Sequence, residues 1–385
     1  MQAGKVWKSY LTNKLISIGF TSSTCDECVF YKEDLIYIRY TDDSILLSPN
    51  MNVINETIKS MKSIGLTLTV IGSLKEFLGV KVEQTTEKES RNRIIHMSQP
   101  YLITTILKET NLDNTNAKPK QNPMKSTIIL REHRDSDEFD GHFDYRRVIG
   151  MLNYLEKCTR PDIGYAVHQC ARFVARPKQE HGNAVKWICR YLLGTRDKGI
   201  MWKMDEFDKD EEEKLTCFID SDFSGNYIHD NDQSDDANTA RSRYGYIIKY
   251  HGVPLVWASK LQTLIALSST ESEYIGLSEA SRVVVPIIRF LLEMKEKGFN
   301  KRVESPVIKC KLFEDNMGAL TMANMPKIRS RTKYIHTKYH YFQTLVKDDI
   351  LRIEKIATDN QKEDILTKPL PVDNFIHLRR RIMGW

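Results

Sequence analysis

At 385 residues the chain has room for two or three domains, each able to bury its own core. Its 57 Lys and Arg against 51 Asp and Glu leave a formal charge of +6, a mild bias toward a polyanionic partner that decides nothing alone. No apolar run approaches the roughly 18 residues that span a bilayer. The opening MQAGKVWKSYL lacks the apolar stretch and cleavage site of a secretion signal, and seven irregularly spaced cysteines argue for a reducing compartment over a disulfide framework.

The first segment, 1–116, opens with apolar residues at helical spacing (Val6, Trp7, Tyr10, Leu11, Leu15, Ile18) that stop at Gly19. Cys25 and Cys28 have metal-like spacing, but no second pair or neighbouring His completes a tetrahedral set, so they read as buried, inert thiols. The strand-like runs CVFYKEDLIYIRY and SILLS flank Thr41-Asp42-Asp43, which predicts a hairpin with two acids at its tip. A helix over 55–64 and strands over 66–71 and 77–82 follow, and the proline-bearing stretch 116–123 reads as a linker.

The second segment, 117–203, is helical by pattern over 145–158, 163–173 and 181–193, with breaks at Arg160-Pro161 and Arg176-Pro177. Arg160 and Asp162 suit capping or pairing of helices, and Arg146, Arg147, Arg190 and Arg196 form a basic surface that either stays solvated or holds a duplex. The charged run 204–214 reads as an acidic linker. From 215 onward the order is strand (215–220), strand (245–250), strand (254–259), helix (269–297), strand (307–313), two helices, strand (350–356) and helix, which predicts a mixed sheet with helices on its faces.

Two constellations carry chemistry. Asp42 and Asp43 can hold a divalent cation through hard carboxylate oxygens, although Asp is also an ordinary turn former. In the third segment Asp220 ends the first strand, with Asp222 on the same face by alternation. Glu273 lies in the first turn of the long helix, Asp315 ends the fourth strand, and Asp364 sits on the last helix. Two-metal phosphoryl chemistry needs several carboxylates to converge, and strand ends and helix starts can supply them. Taken singly, each acid also suits a cap or the surface. Lys327, Arg329, Arg331 and Lys333, with Lys338 on the helix beyond, form a candidate ridge for phosphates. His336 and His340 are spaced as metal ligands but lack an acidic or Cys partner, so they read as surface or substrate-facing groups.

The residues around these acids resemble copia-type retrotransposon polyproteins. Tyr40-Thr41-Asp42-Asp43 is similar to the Tyr-x-Asp-Asp signature of reverse transcriptases, in company with Gln2-Ala3-Gly4-x-x-Trp7, Gly19-Phe20 and Phe77-Leu78-Gly79-Val80. Thr159-Arg160-Pro161-Asp162 and Tyr191-Leu192-x-Gly194-Thr195 resemble the region that joins polymerase to RNase H. Trp257-x-Ser259-Lys260, Ser268-Ser269-Thr270-Glu271-x-Glu273 and Tyr339-His340-x-Phe342 resemble the RNase H of that family.

The resemblance implies an α+β to α/β multidomain chain: a partial reverse transcriptase palm (1–116), a helical thumb or connection (117–203), the acidic linker (204–214), and an RNase H-like mixed five-stranded sheet with flanking helices (215–385). It implies a ribonuclease for RNA/DNA hybrids, with Asp220, Glu273, Asp315 and Asp364 as catalytic metal ligands and Mg²⁺, or Mn²⁺, as the ion. Asp42 and Asp43 then match two of three palm ligands; the third belongs upstream of the Gln-Ala element at which this chain starts, so independent polymerase activity is not expected. Expected partners are the hybrid and other products of the polyprotein, without a membrane, in the cytoplasm, in virus-like particles or in the nucleus. Tyr334-Ile335-His336 stands where relatives usually have His-Ile-Asp, Asp222-Phe223-Ser224-Gly225 replaces Asp-Trp-Ala-Gly, and an acidic insert, 229–238, lengthens the first hairpin. These departures keep a second reading open, a catalytically silent relic that only binds nucleic acid or polyprotein partners.

Overall fold

A computed structural model describes residues 2–86, 93–113, 116–131, 137–203, 215–227, 237–299, 308–325, 334–357 and 364–385. The chain divides into two compact units, Met1–Leu78 with Val285–Ile308, and Gly79–Val284 with Lys309–Trp385. No helix among the described residues is long and apolar enough to cross a membrane.

In the first unit α1 (Gln2–Ser17) ends before Gly19, whose φ of +92° suits a residue without a Cβ. Strands β1 (Thr21–Ser22), β2 (Val29–Lys32), β3 (Leu35–Tyr40) and β4 (Asp43–Leu47) form an antiparallel meander in sequence order. The expected hairpin is there, with Tyr40 opposite Asp43 and Thr41-Asp42 as its turn. Helix α2 (Met51–Ser63) starts a turn earlier than its apolar pattern, because the Asn50 side chain accepts a hydrogen bond from Asn52 N and caps it. Leu11, Leu15, Phe20, Phe30, Tyr37 and Met61 meet in the core. Residues 66–71 are irregular, not a strand: they alternate apolar and polar, but Val70 and Ile71 stay exposed and no strand among the described residues pairs with them. β5 (Glu76–Phe77) closes this stretch.

The second unit begins with β6 (Val80–Thr86) and β7 (Arg93–Ser98), followed by α3 (Pro100–Glu109), α4 (Tyr145–Cys158), α5 (Gly164–Ala171), α6 (Gln179–Leu193) and β8 (Ile200–Lys203), which returns to pair with β7. Next come β9 (Leu215–Asp222), β10 (Arg243–Tyr250), β11 (Val253–Leu261), α7 (Ser269–Glu296), whose residues from Val285 on belong to the first unit, β12 (Cys310–Glu314), α8 (Met317–Ala323), α9 (Phe342–Lys347), β13 (Leu351–Lys355), α10 (Asp364–Thr367) and α11 (Val372–Met383). The last five strands form the expected mixed five-stranded sheet, in the order β11-β10-β9-β12-β13, antiparallel across the first three and parallel from β9 to β13.

One hydrophobic core joins helices α3 to α6 to this sheet: Val148, Leu152, Leu155, Val185 and Ile188 cluster with Ile247, Trp257, Leu366 and Phe375. The Trp257 indole donates to the Glu156 carbonyl across that contact at 2.9 Å. Segments 117–203 and 215–385 thus share a core, while the expected linker 204–214 and most of the acidic insert lie outside the described residues.

Candidate metal centre

Every residue of β9 from Leu215 to Ser221 is buried, because both faces of the strand are covered. Alternation sends Ser221 and Ile219 toward α7 and Asp220 toward α10. The parallel pairing of β9 with β12 runs as far as Phe218 opposite Phe313. Asp220 and Asp315 therefore lie just past the last pair, at the carboxyl ends of neighbouring parallel strands.

The third acid comes from the start of α7. Ser268 Oγ accepts from Glu271 N at 3.2 Å and Glu271 Oε2 accepts from Leu267 N at 2.7 Å, so Glu271 serves the helix start while Glu273 turns to the sheet. Close approach of α7 depends on Gly276, where a Cβ would stand 2.8 Å from Ser221 Oγ.

Carboxylate oxygens of Asp220, Glu273 and Asp315 all lie within 4.8 Å of one another; the first two are buried and Asp315 is half-buried. Thr367 Oγ1 donates to Asp220 Oδ2. Asp364, the fourth expected ligand, stands outside this group and pairs with Lys368 at 2.7 Å. It opens a four-residue helix rather than lying on the last one, because Pro369 and Pro371 separate α10 from α11.

Burial pushes the Asp220 carboxyl up to about 7; Lys368 and the Thr367 hydrogen bond oppose the rise, and Asp364 and Asp315 add to it. Burial likewise lifts Glu273 well above the carboxylate range, with Glu314, Asp220 and Asp315 reinforcing it, and brings Glu314 to about 8. Among the described residues Glu273 Oε2 and Glu314 Oε2 are buried without a hydrogen-bond partner. Crowded hard oxygens, two of them orphaned, fit a divalent cation of the Mg²⁺ class.

Glu314, Thr367 and Lys368 were not singled out from sequence. Glu314 had a signal, since it is in phase with Cys310 and Leu312 along a strand whose burial alternates. Thr367 and Lys368 had none beyond lying three and four residues after Asp364.

Asp42 and Asp43 are exposed at the β3–β4 turn, where Trp7 Nε1 donates to the Thr41 carbonyl at 3.3 Å. Among the described residues no third His, Cys, Asp or Glu gathers with them, nor any such set with Cys25 and Cys28, which are exposed and half-buried and not buried as expected, since they flank the turn that leads into β2. Lys327, Arg329, Arg331 and Lys333 lie outside the described residues. Lys338 is exposed, its Nζ 4.6 Å from the centre of the Tyr339 ring. His336 caps the turn at Thr337–His340, and His340 Nδ1 lies 2.8 Å from the Tyr274 hydroxyl, so both imidazoles have local partners.

Residues 1–126 match the family model described as reverse transcriptase (RNA-dependent DNA polymerase). The chain is 29% identical to the retrovirus-related Pol polyprotein from transposon TNT 1-94 of Nicotiana tabacum, over 100% of this chain and 27% of that protein. It is 31% identical to the corresponding polyprotein from transposon RE2 of Arabidopsis thaliana, over 99% of this chain and 24% of that protein. The chain is a retrotransposon Pol segment of the copia type. This Pol segment spans about a quarter of the length of those two relatives. Among solved structures the Pol segment is similar to a foamy viral protease-reverse transcriptase in complex with RNA/DNA hybrid, with a TM-score of 0.46 and 9% identity over 96% of this chain and 39% of that one.

Proposed function

We propose that this Pol segment is a metal-dependent endonuclease that cuts the RNA strand of RNA/DNA hybrids, carried beside a reverse transcriptase segment. The observation that supports it is the convergence of Asp220, Glu273 and Asp315 within 4.8 Å at the carboxyl ends of two parallel strands. Asp220, Glu273 and Asp315 would hold Mg²⁺ or Mn²⁺, with Asp364 at the flank. A divalent cation there supplies activation of water and neutralisation of charge developing on the scissile phosphate. The chain's own residues prepare the place: Thr367 orients Asp220, the capped start of α7 aims Glu273, and the end of β12 presents Asp315. Lys338, with Lys327, Arg329, Arg331 and Lys333, would contact hybrid phosphates. We place the reaction in the cytoplasm, within virus-like particles.

The deciding experiment follows cleavage of a labelled RNA strand annealed to DNA by the purified chain, with Mg²⁺, with Mn²⁺ and with chelator. Cleavage that needs the cation supports the reading. One observation favours a silent relic instead: Lys368 acts electrostatically on Asp220, Asp222 and Asp364, partly neutralising the site from within. Folded protein without cleavage in either cation would select that reading.

A further inference from the structure

Trp187, on α6, is half-buried, and its indole Nε1 donates to the Asn122 carbonyl at 3.0 Å. Two lysines of the segment 120–125 lie against this one ring: Lys120 Nζ is 4.2 Å from its centre and Lys125 Nζ 4.9 Å. Lys120 N donates to the Arg190 carbonyl at 3.2 Å, so a third cation stands one helical turn beyond Trp187. Lys125 is exposed, Lys120 and Arg190 are half-buried, and among the described residues none of the three pairs with a carboxylate. One ammonium on an indole is ordinary packing, because the ring face attracts a cation. Two on one ring, with an arginine close by, repel each other, and that charge is left for an anion from outside the described residues.

The same segment reaches the flank of the metal centre. Asn122, between the two lysines, is buried, and its Nδ2 donates to the Leu370 carbonyl at 3.1 Å, two residues beyond Lys368. Asn122, Pro123 and Met124 line one recess together with Tyr165 and Lys368. The segment is therefore clamped between α6 and the turn after α10, with its lysines held in place by the Trp187 ring. We propose that Lys120 and Lys125, flanked by Arg190, form a binding surface for the phosphate backbone of the RNA/DNA hybrid, gripping the duplex beside the cut and not at it. This rests on the hybrid-nuclease reading given above. Continuity with the recess that Lys368 borders is what favours the hybrid over an acidic polypeptide as the occupant. Ammonium groups are point charges that read no base, so the surface raises affinity for any sequence.

The test measures binding of a fluorescently labelled RNA/DNA hybrid to the full chain by anisotropy, in chelator so that nothing is cut, across a range of KCl concentrations. The double variant Lys120→Gln with Lys125→Gln is compared with wild type and with Lys59→Gln plus Lys62→Gln, which removes the same charge from exposed positions on α2. Losing two phosphate contacts should weaken binding by about ten-fold at low salt and lower the slope of log affinity against log salt by about 1.5. The α2 variant should keep the wild-type slope, and melting should show all three proteins folded. An unchanged slope in the Lys120/Lys125 variant overturns the proposal, and so does an equal loss in the α2 variant, which would mark a net-charge effect. Polyglutamate that displaces the hybrid from wild type as well as an unlabelled hybrid does would assign the surface to acidic polypeptides and also overturn it. A wild type that binds no hybrid at all would instead defeat the hybrid-nuclease reading, and this surface with it.

Discussion

Arg160 and Asp162 form a two-point ion pair with neither side chain exposed, Nε to Oδ1 at 2.9 Å and Nη2 to Oδ2 at 2.8 Å. The Tyr191 hydroxyl donates to Asp162 Oδ2 at 2.6 Å, and Arg160 Nη1 donates to the Thr195 carbonyl at 3.0 Å, so the pair binds the turn after α4 to the end of α6. Replacing Asp162 with Ala would strand a buried guanidinium. The expected loss is about 3–5 kcal/mol of stability, read from urea unfolding, and a loss below 1 kcal/mol would show that the pair is not what holds this corner.

Asp220→Asn and Asp315→Asn keep size and shape but each remove a charge that a divalent cation needs. Hybrid cleavage should fall on the order of 100-fold or more, the scale of deleting one electrostatic group from a catalytic centre. Thermal melting should show both variants folded. Asp222→Asn is the control: it is on the same strand face but outside the three-acid group, and should keep most of the activity. Equal cleavage by wild type and Asp220→Asn would sink the assignment.

Periodic features were legible and non-local ones were not. The Asp42-Asp43 hairpin, α4 with both its ends, and the five strands from 215 onward appeared because apolar runs, alternation and turn residues all lie within a few positions of one another. β8 is four residues long and exists because β7, about a hundred positions earlier, pairs with it. Residues 66–71 carry strand-like alternation, but without a neighbour to receive their backbone hydrogen bonds the propensity leads nowhere. At the site, Asp220, Glu273 and Asp315 could be named from their places at element ends. The pairing of Asp364 with Lys368 and the burial of Glu314 depend on how α10 and β12 pack, which no local pattern encodes.

The metal-free protein should lose stability as pH rises. Burial raises Asp220 to about 7 and Glu314 to about 8, both above the range of about 4 for acids in an unfolded chain. The neutral forms thus favour the fold: that contribution is complete below the unfolded values and is lost as pH climbs through about 7 and about 8. Melting temperature in chelator should fall between about pH 4 and 8 and level off above, and Asp220→Asn should flatten the slope. A divalent cation should reverse the trend, since its binding requires the protons to leave. A melting temperature in chelator that rises across this window would refute the crowded-acid account.

Gly276 sets the distance between α7 and β9, and with it the placement of Glu273 one helical turn earlier. A methyl group there would stand 2.8 Å from Ser221 Oγ and 3.3 Å from Ile219 Cγ2. The Ser221 side chain cannot swing away freely, because it is buried and donates to the Ser272 carbonyl at 3.1 Å. Gly276→Ala should therefore push the helix start off the sheet, at a cost of about 1–3 kcal/mol for an overpacked contact. Glu273 would move relative to Asp220, so cation-induced stabilisation should weaken as well. Ser221→Ala removes the closer obstacle and one hydrogen bond, costing about 0.5–1.5 kcal/mol alone. Because the two substitutions touch the same contact, the double variant should be more stable than the sum of the singles, by at least about 0.5 kcal/mol. Simple additivity in a double-mutant cycle of melting and Mn²⁺ titration would mean that α7 finds room elsewhere and that Gly276 does not position the site.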